Sequence, residues 1–273
     1  AVVHEVPLHG GCIADVSRLE LADGRLVVRK RRRAGQPGDL LLEAWMLDYR
    51  AATCAVPVPA VLSVEADCLI LAHVTHQPGS PSPIAEADAA RRLATLHGIG
   101  SHQGFGLERD TLIGSLPQPN AWLPSWVEFF CARRLLPMAR LAAASGQLPT
   151  SYLVRLERLA QRLEAVLEEP RRPALLHGDV WSGHGLFDVD RVAAFIDPAI
   201  YFGHPEMELA FTLLFGPFGN AFYDAYHEAA GIAPGFFEER AELYNIYPLL
   251  VHVQLFGHAY LGPIERTLAR HGL

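Results

Sequence analysis

Residues 174–199, "ALLHGDVWSGHGLFDVDRVAAFIDPA", set His177, Asp179, His184 and Asp197 around two short apolar runs. A carboxylate on a loop between strands can accept a proton, and a second one after the next strand can hold a cation against a bound anion. His184, between them, brings a ring nitrogen to the same place. The other notable charge is far upstream. Of 23 basic residues, 22 are Arg, and Lys30 alone offers an ammonium, a compact point charge that a planar guanidinium does not imitate. Before it, "LHGGCIADV" supplies the adjacent glycines Gly10 and Gly11 ahead of a strand, where backbone N–H groups can approach a phosphate.

The elements that must position these groups divide the chain in two. "CIADVSRLELADGRLVVRK" breaks at Asp23-Gly24, a hairpin turn signal between two antiparallel strands, the second carrying Lys30. "DLLLEAWMLDYRAA" has helical spacing, with Asp39 as N-cap and Glu43 inside the helix. "CLILAHV" reads as a strand, and "THQPGSPSP" reads as a linker. A sheet-rich N-lobe over residues 1–74 and a C-lobe over 75–273 follow. From Ser82 the chain turns helical, with Ser82 as N-cap, Pro83 at the first helical position and a stop at Gly98 or Gly100. Four more helical stretches follow, two of which Pro137 and Pro248 should kink or divide. "PALLH" and "RVAAFID" are the only strand-like runs expected in this half.

Bulk composition narrows the function classes. A chain of 273 residues with 50% hydrophobic and 19% charged residues builds a globular body with a sizeable core. A formal net charge of −7 argues against nucleic acid as partner, and "RKRRR" at 29–33 reads as a strand end and an exposed turn. No apolar run reaches the roughly 18 residues of a membrane helix, and "AVVHEVPLHGG" lacks the pattern of an export signal. The four cysteines, Cys12, Cys54, Cys68 and Cys131, have neither disulfide-framework nor zinc spacing, which fits free thiols in a cytoplasmic protein. A monomer or weak homodimer is expected.

A sheet-rich lobe with one helix, a linker and a helical lobe with a strand-loop-strand insertion is an architecture in which a nucleotide lies between lobes. The residue order agrees with it. In protein kinases H-x-D is followed five residues later by Asn and then by a second Asp. Here His177-Gly178-Asp179 is followed five residues later by His184, and Asp197 stands in "FIDPA". Asp179 would take the proton of a substrate hydroxyl and Asp197 would ligate a metal, while Lys30 would hold phosphates with Glu43 fixing its direction.

The chain resembles the fructosamine kinase family, fructosamine-3-kinase and ketosamine-3-kinase related proteins that share the kinase-like fold of aminoglycoside phosphotransferases. "HGDVWSG", "FIDPAIYFG", "ELAFTLLFG", "LPQPNAW" followed by "FFCARRLLP", "LATLHG" and "LYNIYPLLVHVQLFGHAYLG" carry the resemblance over nearly the whole chain. It implies an α+β, two-lobed protein-kinase-like fold and transfer of the ATP γ-phosphate, with Mg2+, to a sugar hydroxyl of a ketosamine. It implies catalysis by Asp179, phosphate binding by Lys30, Glu43, Gly10 and Gly11, and adenine contacts from the backbone of His73 and Val74. Trp181 would cover the apolar face of the sugar, and Gln118, Asn120 and Trp122 would shape the acceptor pocket. It also implies a helical leader ahead of the glycine loop, and control through Cys12 oxidation.

The pattern departs from the family at three places. His184 stands where Asn is usual, His204 where Asp is usual, and Glu208 replaces another Asp. An amide oxygen suits Mg2+, whereas imidazole suits transition ions, so Mn2+ is a candidate alongside Mg2+ for the metal at Asp197 and His184. Three alternatives stay open beside the ketosamine kinase. One is a nucleotide-binding pseudokinase, and one is a small-molecule kinase of the aminoglycoside type with another hydroxyl acceptor. The third is a metal hydrolase with His177, Asp179, His184 and His204 as ligands.

Overall fold

The computed structural model describes residues 1–8, 14–33, 35, 38–216 and 218–273, so Gly10, Gly11 and Cys12 lie outside the described residues. The chain opens with strands β1 (Val2–Leu8), β2 (Ala14–Leu21) and β3 (Leu26–Arg32), helix α1 (Leu40–Thr53), then β4 (Val61–Glu65) and β5 (Cys68–Ala72). The five strands form one antiparallel sheet in the order β1-β2-β3-β5-β4. Asp23 and Gly24 make the β2–β3 turn as expected. The Asp23 carboxylate accepts the Arg25 N–H at 3.1 Å, and Gly24 takes the left-handed φ of 82° that the turn requires. Lys30 is therefore central, opposite Val16 on one side and Leu69 on the other.

Asp39 starts α1 by accepting the Leu42 N–H at 3.0 Å. Leu40, Ala44 and Leu47 on its inner face pack on Leu69 and Leu71 of β5, a small core of their own. That packing fixes Glu43, on the first turn, next to β3.

The rest of the chain is mostly helical. Helix α2 (Pro83–His97) has the expected Ser82 cap, whose hydroxyl accepts the Ala85 N–H at 3.2 Å, and it ends at Gly98. A short antiparallel pair, β6 (Thr111–Ile113) and β7 (Leu116–Gln118), leads to α3 (Trp126–Phe129), a π-helical turn at Phe130–Leu135, and α4 (Leu136–Ala144). Pro137 does interrupt the regular helix here. It cannot donate to the Arg133 carbonyl one turn back, and the Arg134 guanidinium donates to that oxygen instead, at 3.0 Å. Helix α5 (Thr150–Ala160) precedes the segment 174–203, in which β8 (Ala174–Leu176) pairs with β11 (Tyr201–Gly203), and β9 (Gly185–Phe187) with β10 (Val192–Phe195). The two strands expected in this half are thus joined by four more of three residues each, too short to show a period of two in the sequence.

Helices α6 (Pro205–Phe211), α7 (Asn220–Ala230), α8 (Ala241–Phe256) and α9 (Leu261–Arg270) complete the chain. Helix α8 runs through Pro248 without division. The division of that final stretch falls at Gly257 instead, whose φ is 88°. Helix α8 is buried on nearly every side within the large core that includes Trp126, Phe130, Tyr201 and Tyr226.

Candidate active site

The loop after β8 turns at Gly178, where φ is 87° and an added Cβ would sit 2.0 Å from the Ala199 carbonyl oxygen. No other residue fits that contact. Glu208 of α6 holds the loop in place. One carboxylate oxygen accepts the Gly178 N–H at 2.5 Å, and the other accepts the His177 N–H at 3.0 Å and the His97 Nε2–H at 2.9 Å. His97, the last residue of α2, is itself tied through Nδ1 to the Tyr226 hydroxyl at 2.6 Å. His97 carried no expectation of its own. The only signal was a polar residue ending an otherwise apolar helix face in "LATLHG". Glu208 registered as a change from Asp, and the structure makes it an anchor for the catalytic loop.

Asp179 follows Gly178 with its side chain mostly enclosed. Burial pushes its carboxyl up to about 6; His184 opposes that shift, while Asp197 and Glu208 add to it. Lys30 lies opposite. Its Nζ donates to Glu43 Oε1 at 2.6 Å and to Asp197 Oδ1. Burial alone would lower the Lys30 pKa, but the two carboxylates outweigh it and hold the ammonium charged. For Glu43 burial wins, and its pKa is raised despite Lys30. For Asp197 the balance tips the other way: Lys30 and then His184 outweigh burial and lower its pKa. Asp197 has φ 55°, and it is the one non-glycine residue with positive φ among the described residues, so the backbone is strained where the carboxylate is aimed.

His184 completes the group. Its Nδ1 is 2.9 Å from the Asp179 carbonyl oxygen, which can only accept, so the ring proton is on Nδ1. Nε2 then faces Asp197 Oδ2 at 3.8 Å. Trp181 packs beside it, with ring centroids 5.1 Å apart, and the indole lies across Gly183, where an added Cβ would be 2.3 Å from the ring. The structure thus brings together Lys30, Glu43, Asp179, His184, Asp197 and Trp181 from positions spread over 168 residues.

Other expected site residues sit elsewhere. Gln118 is fully buried and donates to Thr111 Oγ1 at 2.8 Å and to the Ala199 carbonyl at 2.9 Å, while accepting from the Tyr247 hydroxyl at 3.0 Å. Asn120 is fully buried too; it donates to the Arg109 carbonyl and Thr111 Oγ1 and accepts from Arg134. With their polar atoms engaged internally, both brace the surrounding backbone from within. Trp122 packs on Phe202 and closes over Gly106. His204 caps α6 through Nδ1, which accepts the Glu206 N–H at 3.0 Å, and burial drives its pKa down to about 3. Its ring lies against Trp126 and Tyr244, and the Nδ1 of buried His177 accepts the Asp179 N–H. Among the described residues no three His, Cys, Asp or Glu side chains are grouped to hold a metal, so the four-ligand hydrolase reading finds no site. His73 and Val74 follow β5; the His73 carbonyl and the Val74 N–H make no hydrogen bond within the described residues.

The chain is similar to known proteins over nearly its whole length. The family model described as Fructosamine kinase matches residues 1–271. The chain is similar to the chloroplastic protein-ribulosamine 3-kinase of Arabidopsis thaliana, 34% identical over 260 residues that cover 92% of this chain and 77% of the relative. It is 38% identical to a probable ketoamine kinase of Synechocystis sp. over 65% of its own length, and it spans 59% of that relative. The crystal structure of a Thermobifida fusca protein assigned as a fructosamine-3-kinase matches with a TM-score of 0.88 at 34% identity, covering 98% of this chain and 93% of that one. Aminoglycoside phosphotransferase APH(4)-Ia shares the kinase-like fold alone, with a TM-score of 0.65 at 18% identity over 100% of this chain and 95% of that one. The chain belongs to the fructosamine kinase family.

Proposed function

We propose that the protein is an ATP-dependent phosphotransferase acting on a sugar hydroxyl of a ketosamine, a fructosamine or ribulosamine. The observation that carries this reading is the convergence of Lys30 Nζ on Glu43 and Asp197 in front of a buried carboxyl at Asp179. A kinase needs a fixed cation for phosphates, an anion for the metal beside it, and a base that reaches the acceptor. Residues 1–74 and 75–273 act as two lobes with the nucleotide between them. The unpaired His73 carbonyl and Val74 N–H fit the edge of an adenine base.

In the reaction, Asp179 takes the proton of the acceptor hydroxyl as the hydroxyl oxygen attacks the γ-phosphorus, whose bond to the β,γ-bridging oxygen breaks to release ADP. Its raised pKa suits that task, since a base near neutrality is unprotonated at working pH and still accepts a proton readily. Lys30 turns its ammonium to the phosphates, with Glu43 keeping it aimed. Asp197 Oδ2 and His184 Nε2 form an oxygen and nitrogen donor pair that fits a divalent cation, and they are the residues that would hold it; such an ion supplies neutralisation of phosphate charge. Trp181, half-buried beside this group, offers an apolar surface for a sugar ring. The relatives named for ketoamine and ribulosamine phosphorylation support the acceptor class.

No helix among the described residues is long and apolar enough to cross a membrane. Cys54, Cys68 and Cys131 are free thiols, which fits a reducing cytoplasm. The test is ADP release with ribulosamines, fructosamines and aminoglycosides as acceptors. Turnover with ketosamines that falls by about 10²-fold or more in Asp179→Asn supports the reading. Nucleotide binding without transfer to any acceptor would leave a pseudokinase.

A further inference from the structure

His184 has one ring nitrogen engaged with the backbone and the other facing Asp197. Its backbone is fixed on both sides, the N–H donating to the Trp181 carbonyl at 3.0 Å and the carbonyl accepting from the Ile196 N–H at 2.9 Å. Nδ1–H is committed to the Asp179 carbonyl at 2.9 Å. A histidine that binds a metal through one nitrogen characteristically gives the other N–H to a carbonyl or carboxylate, which sets the tautomer and the ring direction. The remaining Nε2 has no hydrogen-bond partner among the described residues and points at Asp197 Oδ2 across 3.8 Å. That gap is too long for a hydrogen bond and shorter than two ligand bonds of about 2.1 Å laid end to end, so one ion can touch both atoms. Asp197 Oδ1 is held by Lys30, which leaves Oδ2 as the free oxygen.

We infer that this site takes a nitrogen-accepting first-row divalent ion, of the Mn2+ or Co2+ kind, in preference to Mg2+. Magnesium is hard, favours an all-oxygen octahedron and seldom gives up water for imidazole, whereas affinity for a mixed nitrogen and oxygen site rises from Mn2+ through Co2+. No group of three His, Cys, Asp or Glu side chains among the described residues could hold a metal without help, so nucleotide phosphates must supply further ligands. The inference rests on the kinase reading.

It is tested by binding, apart from turnover. Mn2+ is added to the protein with a non-hydrolysable ATP analogue, and its coordination is read by pulsed electron paramagnetic resonance for 14N coupling, in wild type and in His184→Asn. Mg2+ is then titrated in to displace Mn2+. A 14N coupling present in wild type and absent from the variant is expected, with the excess of Mg2+ needed for displacement falling about fivefold or more in the variant. Equal 14N signals in the two proteins, or an unchanged displacement ratio, overturn the inference while leaving the kinase reading intact. Failure of the analogue to bind with either Mn2+ or Mg2+ would sink the kinase reading first and this inference with it.

Discussion

At the scale of single residues, the site is a contest between burial and pairing. Lys30 serves two carboxylates from a position only 9% exposed, and such a site suits a small ammonium with freely turning donors. A guanidinium in the same space must displace Glu43 or Asp197. Lys30→Arg should therefore lower transfer by about tenfold or more, and an unchanged steady-state rate would remove Lys30 from the phosphate site. For Asp179 burial outweighs His184, whose Nδ1 lies 3.5 Å from Oδ2, and the carboxyl is pushed up to about 6 from an ordinary value of 3.8. The folded protein thus holds a proton more tightly than the unfolded chain does. The stability contributed by that proton is full below about 3.8 and lost as pH rises through about 6. At pH 7 and above Asp179 burdens the fold, by up to about 3 kcal/mol. Melting curves of ligand-free Asp179→Asn should lie above wild type at pH 7.5 and converge with it toward pH 4. A gap that stays constant with pH would mean that the carboxyl is better solvated than its burial implies. The same titration should give kcat/KM an acid limb near pH 6, because the base works only when ionised.

At the scale of elements, the catalytic loop has little regular structure of its own, and α6 and α2 hold it from behind. Glu208 accepts three N–H groups with two oxygens at a position 2% exposed. Glu208→Gln preserves size yet leaves one oxygen to serve three donors and sets an NH2 group against one of them. It should reduce kcat by about 10- to 100-fold while KM for ATP moves little, because the base is displaced and the phosphate site is not. Equal losses in both constants would show a general weakening of the fold. This anchoring also marks how far the sequence could be read. The hairpin at Asp23-Gly24, the Asp39 and Ser82 caps and the interruption at Pro137 are local events written in a few neighbouring residues, and they were legible. The meeting of Lys30 with Glu43 and Asp197 was foreshadowed by their order in the chain. The three-residue strands, the division at Gly257 and the link from His97 to Glu208 depend on partners far away in the chain. The burial of Gln118 and Asn120 was hidden for the same reason, since a buried amide and an exposed one look alike until their partners are placed.

At the scale of the whole molecule, the two cores meet along α1. Its first turns pack on the sheet with Leu69 and Leu71, while Met46 belongs to the large core that contains α8. Arg50, one turn from the end of α1, is fully buried there, and none of its three guanidinium nitrogens has a hydrogen-bond partner among the described residues. Burial pulls its pKa down to about 10, and Glu208 works against that pull. The nearby positive charge also helps burial to keep His177 neutral. A guanidinium enclosed without hydrogen bonds loses its hydration and receives only a distant attraction in return, and desolvation of that kind costs several kcal/mol. An unbranched apolar side chain of similar length would fill the space without that loss. Arg50→Met should therefore stabilise the protein by about 1–3 kcal/mol, which for a chain of this size raises the melting temperature by roughly 2–8 °C. Thermal unfolding followed by calorimetry measures it. A fall of similar size would mean that Arg50 finds a partner in solution, by reaching Glu208 or by holding enclosed water, and that its charge joins α1 to the catalytic loop through the same carboxylate that fixes Gly178.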